Sequence, residues 1–403
     1  MEINKETKLG ISKNVLVMGL VSFFNDVASE MIYPLVPIFL TSVLGAPASV
    51  VGLIEGIAES TASILKVFSG WYSDKFQKRK PFITAGYSLS TISKVILGFA
   101  FGWPLVLLGR FVDRFGKGVR TSARDALIAE SSTSSNRGKS FGFHRALDTA
   151  GAVVGPLLAI WLLHSYSNNF RSIFLVAFIP GLIGILLLLA FVREKKKKAL
   201  GDSLKLKGSW KEFDISFKIF LAISVIFAIG NSSDAFLILR SQNLGLSAIA
   251  VIFAYVVFNF SYALFSVPAG AISDRIGPRK VLISGFFLFG LVYLLFGIIH
   301  QNYLLWFIFP LYGIYMALTE GIGKAYISNL VPPEKTGTAF GIYQTAIGIC
   351  TFFASLIAGL LWDKVSVSAP FILGSAAAVI SAIMFIVLQN GLDNEKSKKT
   401  AQC

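Results

Sequence analysis

Twelve apolar runs of about 20 residues, spread along a chain of 403, constrain this sequence more than any single motif. Wound as a helix, such a run matches the thickness of a bilayer's hydrocarbon core. The runs fall near 14–40, 48–72, 82–101, 104–125, 139–163, 171–192, 218–240, 247–270, 281–299, 303–327, 337–361 and 370–389. They predict an all-α integral membrane protein with twelve transmembrane helices. A composition of 54% hydrophobic and 15% charged residues excludes an ordinary soluble domain. The net charge of +15 would point a soluble chain toward nucleic acid. Here the bases collect in alternate loops: Lys75, Lys78, Arg79 and Lys80; Arg124, Arg137 and Lys139; Arg193 with Lys195–Lys198; Arg275, Arg279 and Lys280; Lys335. The intervening loops offer Arg171, Arg240 and Lys364. This asymmetry puts both termini in the cytoplasm and the bases against anionic lipid, so no nucleic-acid partner is expected. Cys350 and Cys403 give neither a disulfide framework nor metal-ligand spacing. The first apolar run is too long for a signal-peptide core and is expected to stay in the mature protein. No nucleophile elbow, phosphate-cradling loop or metal cluster is present, so neither enzyme, cofactor nor metal is expected.

One stretch occurs twice. Gly70-Trp71-Tyr72-Ser73-Asp74-Lys75-Phe76-Gln77-Lys78-Arg79-Lys80 returns 200 positions later as Gly270-Ala271-Ile272-Ser273-Asp274-Arg275-Ile276-Gly277-Pro278-Arg279-Lys280. A second echo, Gly138-Lys139-Ser140-Phe141-Gly142 and Gly337-Thr338-Ala339-Phe340-Gly341, is offset by 199. The chain therefore reads as two related halves, 1–192 and 218–403 with a short cytoplasmic tail. They are joined by a basic segment at 193–217 that holds Lys195–Lys198, Lys205, Lys207 and Lys211. That segment reads as a solvated linker, with lipid binding or regulation as the alternative.

The repeated stretch resembles the loop motif between helices 2 and 3, and again 8 and 9, of the major facilitator superfamily. Gln77 departs from the pattern, where a glycine is usual. The resemblance implies two pseudo-symmetric six-helix bundles with a site near the midplane, alternating access by rocking. Gly70 and Gly270 would permit close helix approach, and Asp74, Arg79, Asp125, Asp274 and Arg279 would form a conformational gate. Within it, Asp125 would meet Arg79 and Asp74 would meet the start of helix 11. Gly142-x8-Gly151-x3-Gly155-Pro156 on helix 5 resembles the signature of the superfamily's proton-linked antiporters, which favours export, although Ile160 stands where that signature has a small residue. Gly151, Gly155 and Pro156 would belong to the gate, the glycines flattening a face and the proline bending the axis, with a plain packing face as the alternative.

Charges inside membrane helices are expensive and must face protein or water. The first half carries Asp26 and Glu30 on helix 1, Glu55, Glu59 and Lys66 on helix 2, and Lys94 on helix 3. Helix 4 adds Arg110, Asp113, Arg114 and Lys117, and helix 5 adds His144, Arg145 and Asp148. The second half has Asp234 on helix 7 with Glu320 and Lys324 on helix 10. Asp26 and Glu30 share a face one turn apart, and Arg110, Arg114 and Lys117 follow i, i+4, i+7. Helix 1 acids are therefore expected to pair with helix 4 bases, with Asp26, Glu30 and Arg114 carrying proton coupling. Asn25, Arg110, Asp113, Lys117, Asn231, Asp234, Glu320, Lys324 and Gln344 complete the expected cavity wall. Glu320 and Lys324 would form an i, i+4 pair, and His144 reads as a surface hydrogen-bonding residue. Asn231 and Asp234 are expected where Asn25 and Asp26 sit in the first half.

The reading is a monomeric, multi-pass secondary transporter of a small solute in a bacterial inner membrane, exporting by exchange with protons. Symport of an anionic solute or metal chelate through the helix 4 bases is the alternative. A transport-silent receptor would need a soluble domain, which the sequence lacks.

Overall fold

The computed structural model describes residues 11–76, 78–132, 137–166, 169–194, 213–332 and 335–401. Among them lie twelve helical segments and no strand: α1 (Lys13–Val43), α2 (Ala48–Phe76), α3 (Lys80–Gly98), α4 (Trp103–Glu130), α5 (Arg137–Ser165) and α6 (Phe170–Phe191), then α7 (Ile215–Asn243), α8 (Ala248–Ile276), α9 (Pro278–Ile298), α10 (Leu305–Leu330), α11 (Thr336–Lys364) and α12 (Ala369–Ala401). Ten of the twelve are long and apolar enough by themselves to cross a membrane. The other two are α3 and α4, whose polar and charged faces are the chemistry described below. The linker bases Lys195–Lys198, Lys205, Lys207 and Lys211, Gln77 and the side chain of Asp74 lie outside the described residues.

The helices form two compact units. One holds α1–α6 together with Ser247–Val256 of α8; the other holds α7, α8 from Val257 onward, and α9–α12. In the first, α1 packs on α5 and α6, α2 on α4, and α3 on α4 and α6. In the second, α7 packs on α11 and α12, and α9 on α10 and α12. Gly313 of α10 meets α8 where an added Cβ would come within 2.5 Å of the Phe258 carbonyl. Each pairing in one unit thus recurs six helices later in the other, as two copies of one ancestral bundle require.

The first and seventh helices are interrupted at matching places. α1 pauses over 31–34 and resumes at Leu35, and α7 pauses over 231–234 and resumes at Ala235. In α1 the cause is Pro34, which has no N–H to offer the Glu30 carbonyl one turn back. These matched breaks place Asp234 opposite Pro34 rather than Asp26, a correction to the sequence alignment. Between α8 and α9 the chain turns at Gly277, whose φ of 91° lies in the left-handed region that favours glycine.

Candidate functional site

The bases Arg110 and Arg114 of α4 find their partners on α2, and the acid Asp113 of α4 finds its partner on α3. Arg110 grips Glu55 with a two-pronged contact, Nε to Oε1 at 2.9 Å and Nη2 to Oε2 at 2.6 Å. One turn on, Arg114 Nη2 meets Glu59 Oε1 at 2.8 Å. Lys94 of α3 donates to Asp113 at 2.7 Å and to Ser29 of α1 at 3.2 Å. Glu55, Lys94, Arg110, Asp113 and Arg114 are all buried, and burying a charge without a partner is what such a core must avoid. Tyr33, in the pause of α1, lies 5.3 Å from the Arg110 guanidinium and 5.6 Å from that of Arg114.

The expected ion pairs of Asp26 and Glu30 with Arg110 and Arg114 are therefore not formed, although the charges of Lys117, Arg114 and Arg110 act on Glu30. Glu55 and Glu59 repeat at i, i+4, as do Arg110 and Arg114. Two helices lying side by side bring two such ladders into register. Lys117 is half-buried and has neither an ion pair nor a side-chain hydrogen bond among the described residues.

At the two acids the backbone of helix 1 lies against α5. A Cβ at Gly151 would come within 2.6 Å of the Phe23 carbonyl and 3.0 Å of the Asp26 Cβ. At Gly155 it would meet the Val27 carbonyl at 2.7 Å and the Glu30 Cβ at 3.1 Å. Two of the three glycines of the helix 5 signature thus let α5 lie backbone to backbone on α1 at the two acids, while Gly142 faces open space, and α5 runs through Pro156 as one helix. The carboxylates of Asp26 and Asp148 stand within hydrogen-bonding reach of each other. Asp148 also lies 3.9 Å from Arg124 Nη1 and 3.3 Å from Arg145 Nη1. Glu30 accepts a 3.0 Å hydrogen bond from Tyr255 Oη, contributed by the α8 segment of the same unit. Asn25 is buried and donates to Asp26 at 3.5 Å.

His144 is not the surface residue expected. It is buried, with Nε2 2.8 Å from Ser22 Oγ, which in turn lies 3.0 Å from Tyr87 Oη and 3.4 Å from Arg124 Nη1.

In the second unit, the pause of α7 carries Asn231, 3.3 Å from Tyr315 Oη, and Asp234, which accepts from Tyr312 at 2.6 Å. Glu320 accepts from Tyr262 rather than pairing with Lys324, which is exposed and has no ion pair among the described residues. Gln344 is half-buried and has no side-chain hydrogen bond among them.

At the loop end of the first unit, Arg79 meets Glu130 at 3.1 Å and Ser73 at 2.7 Å. Glu194 accepts from the backbone N–H groups of Arg79 and Lys80, an acidic cap on the amino end of α3. Asp125 pairs with its neighbour Arg124 at 3.0 Å, not with Arg79. The expected gate contact is corrected accordingly: Glu130 lies farther along α4, which continues five residues past the predicted end at 125. Gly70 does sit close to α4, 3.2 Å from the Ser122 Cβ by the same Cβ test, whereas Gly270 faces open space. Arg279 bonds the carbonyls of Phe385 and Ile386, and for Asp274 no ion pair occurs among the described residues.

Sequence reasoning passed over Asp148, Tyr33, Ser22 and Tyr87 as partners. Two signals were available: Asp148 lies three residues before Gly151, hence on the glycine face, and Ser22 lies four before Asp26.

This arrangement agrees with what the chain is similar to. The family model described as Major Facilitator Superfamily matches residues 18–239 and 219–402. An MFS-type transporter of Methanocaldococcus jannaschii is 38% identical over 394 residues, covering 96% of this chain and 98% of that one. The quinolone resistance protein NorA of Staphylococcus aureus is 22% identical, covering 94% and 97%. Among solved structures, that of a D-xylose–proton symporter superposes with a TM-score of 0.69 at 15% identity, over 93% of this chain and 96% of that one. The mirrored helix pairings, the repeated loop motif and a family match across both halves converge: the chain belongs to the major facilitator superfamily, a multi-pass membrane transporter of small solutes and not an enzyme.

Proposed function

We propose that the protein exports a small solute in exchange for protons, working in a bacterial-type inner membrane with both termini cytoplasmic. The observation that carries this reading is the α1–α5 seam, where the glycines of an antiporter-like signature lie against the acids Asp26 and Glu30. Acids held at a close helix seam gain or lose protons only as the seam becomes wet or dry, which is what links protonation to access. A relative that bears the name of a drug-resistance protein is in keeping with outward transport, since a carrier protects a cell by removing the drug.

The test is uptake into proteoliposomes driven by an imposed pH gradient. The double variant Asp26→Asn/Glu30→Gln is expected to lose gradient-driven transport while keeping its thermal unfolding profile. Undiminished transport in that variant refutes the assignment.

Symport of an anionic solute keeps one residue in its favour, Lys117, since Arg110 and Arg114 are already matched by Glu55 and Glu59. Binding compared across cationic, neutral and anionic solutes separates the two readings. Binding of anions alone, lost in Lys117→Gln, selects symport.

A further inference from the structure

The seam between α1 and α5 holds more than packing. Ser22 and Asp26 on α1 face His144, Asp148 and Gly151 on α5, and α4 adds Arg124 beside them. Two carboxylates that stand within hydrogen-bonding reach have four acceptor oxygens and no donor between them, unless one carries a proton. The donors at hand are unevenly shared: Arg145 and Arg124 reach Asp148 at 3.3 and 3.9 Å, whereas Asp26 has Asn25 at 3.5 Å, where α5 lies close on α1 at Gly151.

We propose that Asp26 and Asp148 share one proton, and that this pair is a proton-binding site of the protein. This rests on the antiport reading above for its role in transport, but not for its existence.

The groups that face the pair are accounted for from each helix. On α5, Arg145 approaches Asp148 at 3.3 Å, and His144 stands one turn before it, engaged with Ser22. On α4, Arg124 is divided between Asp125 at 3.0 Å and Asp148 at 3.9 Å. Arg120, also on α4, lies against the Tyr87 ring at 4.6 Å and donates to Ser90, and Lys117 faces Asp26 and Glu30 without contact. On α3, Tyr87 reaches the site through Ser22. On α1, Glu30 is one turn away and already accepts from Tyr255.

When the proton leaves to water, two negative charges remain where one was. Arg124 is the cation placed to answer the change: it exchanges Asp125 for Asp148, a move of about one ångström by the distances above. The seam then either draws in Arg124 or separates. A proton arriving restores the carboxyl–carboxylate hydrogen bond and closes α1 on α5. Nothing else is consumed: one proton binds and one proton is released.

The experiment uses the full-length protein in nanodiscs and pH-difference infrared spectroscopy, which reads the C=O stretch of protonated carboxyl groups directly. Wild type is expected to show a carboxyl band that disappears on raising the pH. Asp26→Asn and Asp148→Asn are each expected to lose it, because either amide can donate to the remaining carboxylate and replace the shared proton without unfolding the seam. Asp148→Glu is expected to keep it at a shifted position. Persistence of the band in either Asn variant overturns the proposal. In proteoliposomes, Asp148→Asn is expected to lower pH-gradient-driven transport at least about tenfold and to spare solute counterflow, as removal of a coupling carboxyl does. If the band behaves as expected but wild-type transport ignores the pH gradient, the shared proton stands and the antiport reading fails.

Discussion

The two halves solve the same packing problem with different chemistry. Gly86 of α3 lies against Arg120 of α4, and 199 positions later Gly285 of α9 lies against Thr319 of α10. In that register the ion pair Lys94–Asp113 of the first half falls on Tyr293 and Tyr312 of the second, whose rings are 6.4 Å apart. Around them the second half adds Phe289, 3.9 Å from Tyr293, Tyr315, 5.3 Å from Tyr312, and Phe258, 5.1 Å from Tyr312. Where one bundle is locked by charges that need partners, its sibling is filled by rings that need only contact. The fold tolerates either, so the charges of the first half are there for something besides the fold. A half that carries titratable groups in its seams is the half that a proton can act on.

The largest effect should come from stranding one charge. Arg110→Ala leaves Glu55 buried alone, and a cost of about 3–5 kcal/mol is expected, read as a fall in melting temperature in detergent. Retention of the wild-type melting temperature would mean that the pair is as dispensable as its counterpart in the second half. Next, the second half has Cys350 where the first has Gly151. Gly151→Cys forces a side chain into the α1 backbone and should cost about 1–3 kcal/mol, whereas Cys350→Gly should cost less. Equal effects would erase the distinction between the two seams. Tyr312→Phe removes the 2.6 Å hydrogen bond to Asp234 while keeping the ring, and about 1 kcal/mol is expected. A much larger loss would show that the aromatic half depends on polar contacts as well. The least destabilisation is expected for Lys94→Met/Asp113→Val, which removes both charges together. Replacing a buried ion pair with apolar groups is often neutral or stabilising by about 1–4 kcal/mol. A double variant as unstable as Lys94→Met alone would show that the pair holds the fold after all.

Much of this was legible in the sequence, and the reason is physical. Helix number follows from a solvent that tolerates no unsatisfied backbone, and the duplication is visible because both loops must make similar turns. The close approach of α5 at Gly151 and Gly155 was also legible, since small residues spaced one turn apart mark a helix seam in a membrane. Partnership did not. Depth along a helix says which residues lie at one level, not which way they point, so Asp26 and Glu30 were matched with Arg110 and Arg114 at the same depth. The true partners, Glu55 and Glu59, had the signal of an identical i, i+4 spacing. The contact of Arg79 with Glu130 was missed because α4 extends past the last apolar residue of its run, where hydropathy no longer marks a helix.

The interruption of α7 has a mechanical consequence. Ser233 gives its backbone N–H to Ser355 Oγ on α11 at 3.2 Å, and Ala235 gives its own to Ser233 Oγ at 3.3 Å. Both amides have thereby left their helical acceptors, the carbonyls of Ile229 and Asn231. Ser355 is fully buried, and a stranded amide at that depth is costly. A twist of α11 about its own axis must therefore carry the outer piece of α7 along with it, like a crank turning through a single pin.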